Sequence, residues 1–98
     1  MYLVMRFDVL PGKMAECDQY IQNELIPYFK SHEEVQSIQI LEDTFIGWPE
    51  REIRVQIQNL NALQNLMGVK ESRQMKQRFT SFTTDIQTQI MDEVPQNR

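Results

Sequence analysis

Residues 52–58 alternate polar and apolar positions without a break, the period-2 mark of a strand covered on one face only. Ile53, Val55 and Ile57 form the apolar face, and Glu52, Arg54, Gln56 and Gln58 the other. Upstream, Ile38 and Ile40 share one face while Ser37, Gln39 and Leu41 share its opposite. The two arms make a β-hairpin over residues 35–58, with Phe45-Ile46-Gly47-Trp48-Pro49 at its tip. A third alternating run, residues 2–10, sets Leu3, Met5, Phe7 and Val9 against Val4, Arg6 and Asp8. Pro11-Gly12 ends it, since proline lacks a donor and glycine permits the bend.

Residues 13 to about 31 carry Met14, Cys17, Ile21, Leu25 and Tyr28 at three- and four-residue steps, one apolar helical stripe. Glu16, Asp18, Gln19 and Gln22 fall to the solvent side. Pro27 sits too late to start this helix and predicts a kink or an altered last turn. His32-Glu33-Glu34 is a short polar link. After the hairpin, Asn59 is placed to cap a helix bearing Leu60, Leu63, Leu66 and Met67, which Gly68 would end. A second helical piece has Ser72 as its expected cap and Met75, Phe79 and Phe82 as its stripe. Thr83-Thr84-Asp85 is expected to break the pattern. Residues 86–93 then alternate as a fourth strand, although Ile86 and Ile90 also stand four apart, as a continuing helix would want. Pro95 closes the ordered part: one domain over residues 1–95, with Gln96, Asn97 and Arg98 a frayed tail.

The order β-α-β-β-α-β predicts a ferredoxin-like α+β fold: a four-stranded antiparallel sheet, order 4-1-3-2, with its helices on one face. Leu3, Met5, Phe7, Val9, Ile38, Ile40, Ile53, Val55, Ile57, Ile86 and Ile90 would face the helices. The far face would collect Arg6, Asp8, Gln39, Arg54, Gln56, Gln58, Gln87 and Gln89, with Val4, Leu41 and Met91 among them. Such a semi-polar face, rich in amides that both donate and accept, suits another protein surface better than open water.

Strand 2–10 followed by Leu10-Pro11-Gly12-Lys13, then a helix ending Glu24-Leu25-Ile26-Pro27-Tyr28-Phe29 and the hairpin, resembles the dimeric α+β barrel proteins. These include the antibiotic-biosynthesis monooxygenase-like, stress-responsive barrel and NIPSNAP-like groups. The resemblance implies a homodimer whose two sheets pack face to face and close a shared barrel. It also implies a small-molecule pocket between sheet and helices. The heme-degrading branch pairs a first-strand asparagine with a histidine on a later helix. Here the first strand has no asparagine, and the only histidine, His32, follows the first helix. The quinone-forming branch uses asparagine, tryptophan, tyrosine and arginine. Trp48, the tyrosines and Arg54 are present, without a residue-by-residue match to that set.

Composition narrows the options. The formal net charge of −4 over 98 residues argues against a polyanionic partner. A single cysteine, Cys17, excludes an intrachain disulfide and fits a reducing, cytoplasmic setting. No apolar run is long enough to span a bilayer, and no secretory leader pattern is seen. The hairpin's Ile53-Arg54-Val55-Gln56-Ile57 lacks the stacking rings of an RNA-binding sheet, so no nucleic-acid or membrane partner is expected. Phosphate loops, Ser-His-Asp patterns and CxxC motifs are absent; no cofactor and no metal are called for.

Candidate ligand-pocket residues are Tyr28, His32, Trp48, Arg54 and Phe79. Trp48 would stack on a planar ligand, or pack the hairpin tip on a partner subunit or under the first helix. His32 is the one side chain whose ordinary pKa lies near neutrality, but a lone histidine beside Glu33 and Glu34 makes a poor metal site. Cys17, within an apolar stripe, reads as a buried, inert thiol. Arg6, Asp8 and Arg54 could meet a ligand, or form inter-sheet hydrogen bonds and an Arg–Asp pair. Lys70, Arg73, Lys76 and Arg78 read as a solvated helix face. The function these features favour is a homodimer binding a small organic molecule, as in a cofactor-independent monooxygenase where Arg54 or a tyrosine steadies an oxyanion. The rival is a non-catalytic structural or regulatory dimer.

Overall fold

The structure, a computed structural model, describes residues 1–68 and 70–95; the expected frayed tail lies outside them. Four strands, β1 (Tyr2–Val9), β2 (Val35–Leu41), β3 (Arg51–Ile57) and β4 (Thr83–Met91), form one sheet. Its order is β2-β3-β1-β4, antiparallel at every junction, the topology the element order predicts. The central strands are the most buried: Phe7, Ile53 and Val55 are fully enclosed.

The first helix is not uniform. It runs as α1 (Met14–Tyr20), a π-helical segment (Ile21–Leu25) and α2 (Ile26–Lys30). The physical cause sits at Pro27, which has no N–H to give and whose ring crowds the carbonyl four residues back. A wider turn before it relieves both problems. Tyr20 apart, the core residues on this rod are Cys17, Ile21, Leu25 and Phe29, three successive steps of four. On a plain α-helix such a series would drift by roughly 120° from first to last; the wide turn removes most of that drift. Phe29 therefore joins the core, while Tyr28, assigned to the stripe by its spacing, sits at the core's edge only partly buried.

Asn59 caps α3 (Leu60–Met67) by accepting the backbone N–H of Ala62 at 2.9 Å, and Gly68 follows its last turn, as expected. Ser72 is not a cap. Helix α4 (Lys70–Thr80) starts two residues earlier, which places Ser72 inside its first turn and buries it. The Thr83-Thr84-Asp85 break is also corrected: Thr83 and Thr84 pair with Val9 and Asp8 as the start of β4. The register then slips by one residue, with Asp85 at φ +55°. This is a β-bulge on a residue type that tolerates the left-handed region. Beyond it, residues 86–91 are strand rather than a continuing helix.

The two faces divide as predicted, with three refinements. Val4 lies on the face away from the helices yet is only 1% exposed, because it sits between Arg54 and Gln89 of the flanking strands. Ile90 stands opposite Leu3, on the helix face, but is half exposed. Gln58 falls just past the end of β3.

Candidate functional site

A cavity of about 180 Å³ lies between the sheet and the helices. Its floor is Leu3 and Met5 of β1 with Ile86 and Thr88 of β4, and its roof is Met75, Lys76 and Phe79 of α4. Leu25, Tyr28 and Phe29 close one side, so the wide turn before Pro27 helps to shape the wall. Phe79 is held by edge-on contact with Phe7, ring centroids 4.7 Å apart, a geometry that aromatic quadrupoles favour. Tyr20 extends this cluster: it packs on Phe79 and Phe82 and donates its hydroxyl to the Met75 carbonyl at 3.1 Å. Burial, with a smaller push from Glu24, raises the Tyr20 phenol to about 12.

The polar groups of the lining are few. Tyr28 donates its hydroxyl to the Leu66 carbonyl at 3.2 Å, and Ser72, Thr80 and Thr88 are lining residues, the Thr80 hydroxyl donating to the Gln77 carbonyl at 2.8 Å. Lys76 is the single charged residue among the described lining residues. Its role is invisible in the sequence, where it merges with Lys70, Arg73 and Arg78 as solvated charge. All four are exposed, but Lys76 alone of them edges the cavity.

The structure scatters the other residues singled out from the sequence. His32 packs against the Tyr28 ring, centroids 4.7 Å apart and planes tilted by 53°, with Nδ1 at 2.8 Å from the Tyr28 carbonyl, but does not line the cavity. Trp48 lies half-buried in the loop between β2 and β3, away from the lining. That loop is organised by Asp43, whose carboxylate accepts the N–H groups of Phe45 (2.6 Å) and Ile46 (2.9 Å). Those bonds, the one from Ile46 first, pull its pKa down. Phe45 and Ile46 at the tip are exposed.

Arg54 is on the opposite face of the sheet, where it cannot serve the cavity. There Glu52, only 8% exposed, accepts from Arg6 Nε and from Arg54 Nη2, each at 2.7 Å. Arg6 also donates to Gln89 at 2.6 Å, and Ser37 to Gln56 at 3.1 Å. The anticipated Arg–Asp pair is therefore replaced by an Arg6–Glu52–Arg54 bridge. Arg6 and Glu52 are direct cross-strand partners, whereas Asp8 Oδ1 accepts the backbone N–H of Glu50 at 3.3 Å.

Cys17 is fully buried, and burial, reinforced by Asp18, raises its thiol to about 11; such a thiol is a poor nucleophile. Beside it lies a feature that the sequence reading missed. Arg51 grips Asp18 with two parallel bonds of 3.0 and 2.9 Å and reaches Glu42 at 3.1 Å. The hydrogen-bonded Asp18 raises the Arg51 pKa further. Among the described residues no cluster of His, Cys, Asp and Glu is arranged to hold a metal ion, and no helix is long and apolar enough to cross a membrane.

The architecture is a ferredoxin-like α+β fold with a cavity of about 180 Å³ beneath its helices. Solved structures share that fold. Rv0793 of Mycobacterium tuberculosis superposes with a TM-score of 0.81 over 99% of this chain and 97% of its own, at 11% identity. A protein of Caulobacter crescentus, provisionally described as an antibiotic biosynthesis monooxygenase, gives 0.78 over 96% and 89% at 13% identity. One from Bacteroides thetaiotaomicron, with the same provisional description, gives 0.73 over 97% and 88% at 14% identity. At these identities the likeness establishes the fold, not the chemistry. Protein-family models and curated proteins yield no match.

Proposed function

We propose that this protein is a cytoplasmic homodimer that binds a small organic molecule in the cavity under α4, and that it acts as a cofactor-independent, monooxygenase-like enzyme. The observation that carries this reading is the cavity itself. An apolar cavity of about 150 Å³ is enough to hold benzene, and this one is slightly larger, at about 180 Å³, with hydroxyls at its edge. The dimer is supported by the sheet's far face. There Val4 and the Arg6–Glu52–Arg54 bridge sit among Gln39, Gln56, Gln87 and Gln89, and Leu41 and Met91 are left exposed. The structural neighbours described as monooxygenases lend the reading its chemistry.

In that chemistry a phenol-type substrate reacts with O₂ through its own electrons. A ring CH₂ of its keto tautomer becomes C=O with one oxygen atom, and the other atom leaves as water. The protein's part is to hold the ring, exclude bulk water and donate to the developing oxyanion. The donors for this are Ser72, Thr88 and Lys76 of the lining, the Tyr28 hydroxyl being already given to the Leu66 carbonyl. Arg54 has no such role.

Light scattering at micromolar concentration should give twice the protomer mass of 11.7 kDa; a monomer would end the dimer proposal. Calorimetric titration with simple phenols and quinols should show saturable binding that Thr88→Trp abolishes, since that exposed cavity-wall position can fill the space without disturbing the core. An oxygen electrode then tests catalysis: bound quinols should consume O₂ faster than in free solution. Binding without uptake would leave a ligand-binding dimer and remove the enzyme.

A further inference from the structure

We propose that the cavity selects an organic monoanion, a one-ring aromatic carboxylate or phenolate whose ring enters the apolar space and whose charged oxygen meets Lys76. This rests on reading the cavity as a ligand site and narrows that reading to one ligand chemistry.

Ser72, Lys76 and Thr80 recur at four-residue steps along α4 and all reach the lining. They form a polar stripe beside the apolar pair Met75 and Phe79, so one edge of the cavity is amphipathic along its length. Lys76 is the only charge on that wall among the described residues, and no described acidic side chain shares it. Arg78 on the same helix pairs with Glu24 at 3.2 Å, but Lys76 has no ion pair among the described residues. An ammonium at the mouth of an apolar pocket favours a ligand whose anionic end stays near water while its body is buried.

Ser72 adds a second sign. It is only 9% exposed, yet among the described residues its hydroxyl meets just the Met67 sulfur at 3.8 Å, a weak acceptor. A ligand oxygen at the cavity edge is a better acceptor, and the hydroxyl can rotate to it at little cost. One cation and one hydroxyl suffice for one anionic group. A dianion would bring a second charge into a wall where no second described cation stands to pair it, at a large desolvation penalty. The chain's net charge of −4 gives no general attraction to anions, so the selection has to be local to α4.

Isothermal titration with benzoate, benzyl alcohol and benzylamine isolates the charge, because the three share one ring and differ at the terminal group. Benzoate should bind about fivefold more tightly than benzyl alcohol, the effect of one partly screened charge pair. Lys76→Met should erase that margin while leaving benzyl alcohol within about twofold, Lys76→Arg should restore it, and Arg73→Met, off the cavity wall, should not alter it. A thermal melt of each variant checks that the fold is retained. Benzyl alcohol or benzylamine binding as tightly as benzoate, with Thr88→Trp still blocking the site, would overturn the anion selection and leave the cavity reading intact. No binding by any of the three would overturn both.

Discussion

Arg51 is the residue through which the sheet holds the first helix in place, and replacing it tests how much of the fold's stability rests on one guanidinium. Arg51→Met keeps the buried methylene stem and removes only the charged fork. Four hydrogen bonds are lost: two to Asp18, one to Glu42 at 3.1 Å and one to the Glu50 carbonyl at 2.7 Å. The Glu42 pair is exposed on its acidic side and contributes little. The paired bonds to Asp18 are charge-assisted, and the Arg51 side chain is only 18% exposed. Hydrogen bonds to charged groups contribute about 1.5–3 kcal/mol when shielded. Asp18 is 43% exposed, and solvent screening brings the whole to about 1–2 kcal/mol. For a domain of this size that is a fall of roughly 4–16 °C in melting temperature. Urea unfolding at fixed protein concentration is the assay, with Asp18→Asn and the double variant completing a cycle. A coupling near 1 kcal/mol, with unchanged denaturant slope, is expected, about half the shielded value. A loss below about 0.5 kcal/mol, or additive single effects, would refute the argument that this pair pins the helix to the sheet.

Three other outcomes follow from the same structure. Glu52→Gln leaves Arg6 and Arg54 facing each other without a counter-charge and should destabilise the protein by about 1–2 kcal/mol in urea unfolding; a neutral effect would mean the bridge is ornamental. Cys17 has its folded thiol pKa raised from 9.0 to about 11, so the native state keeps the proton that the unfolded chain releases. Its contribution is intact below pH 9 and is lost as pH rises towards 11, by at most about 2–3 kcal/mol. Cys17→Ala should flatten that part of the alkaline stability curve, and iodoacetamide at pH 8.5 should label the wild-type thiol only in urea. Asn59→Ala removes the cap on Ala62 and should cost about 1 kcal/mol in the same unfolding assay, whereas Asn59→Asp should keep most of it.

What could be read from the chain divides along a physical line. Alternation in residues 2–10 and 52–58, the Asn59 cap and the order of elements are local signals, and they lead to the correct sheet. The break assigned to Thr83-Thr84-Asp85 fails because strand pairing with Asp8 and Val9 overrides the turn-like composition, and the slip is absorbed at Asp85 alone. Ser72 reads as a cap by residue type, but the helix begins two residues before it. The residues that matter most at the site are the least legible. Lys76 is one of four similar charges until topology lays α4 across the sheet. Arg51 finds Asp18 33 residues away and Glu52 finds Arg6 46 residues away, distances over which no local pattern extends. Arg54 shows the converse: its alternation correctly puts it on the far face, which is the reason it cannot serve a pocket under the helices.

The wide turn at Ile21–Leu25 carries a consequence for anyone transferring residues between this protein and its structural neighbours. It holds one residue more than an α-helical turn would, so it acts as a phase insertion within an otherwise ungapped helix. Deleting a single residue there, Gln22 for instance, would let the turn revert to a plain α-helix with both flanks in place, because Phe29, then eleven residues from Cys17, would still stand within roughly 20° of it. Straightening the turn without that deletion would instead rotate everything downstream by roughly 100° and swing Tyr28 and Phe29 away from the cavity. A position-by-position graft from a neighbour with a plain helix would therefore install the right amino acids at the wrong azimuth, unless one extra residue is inserted ahead of the proline.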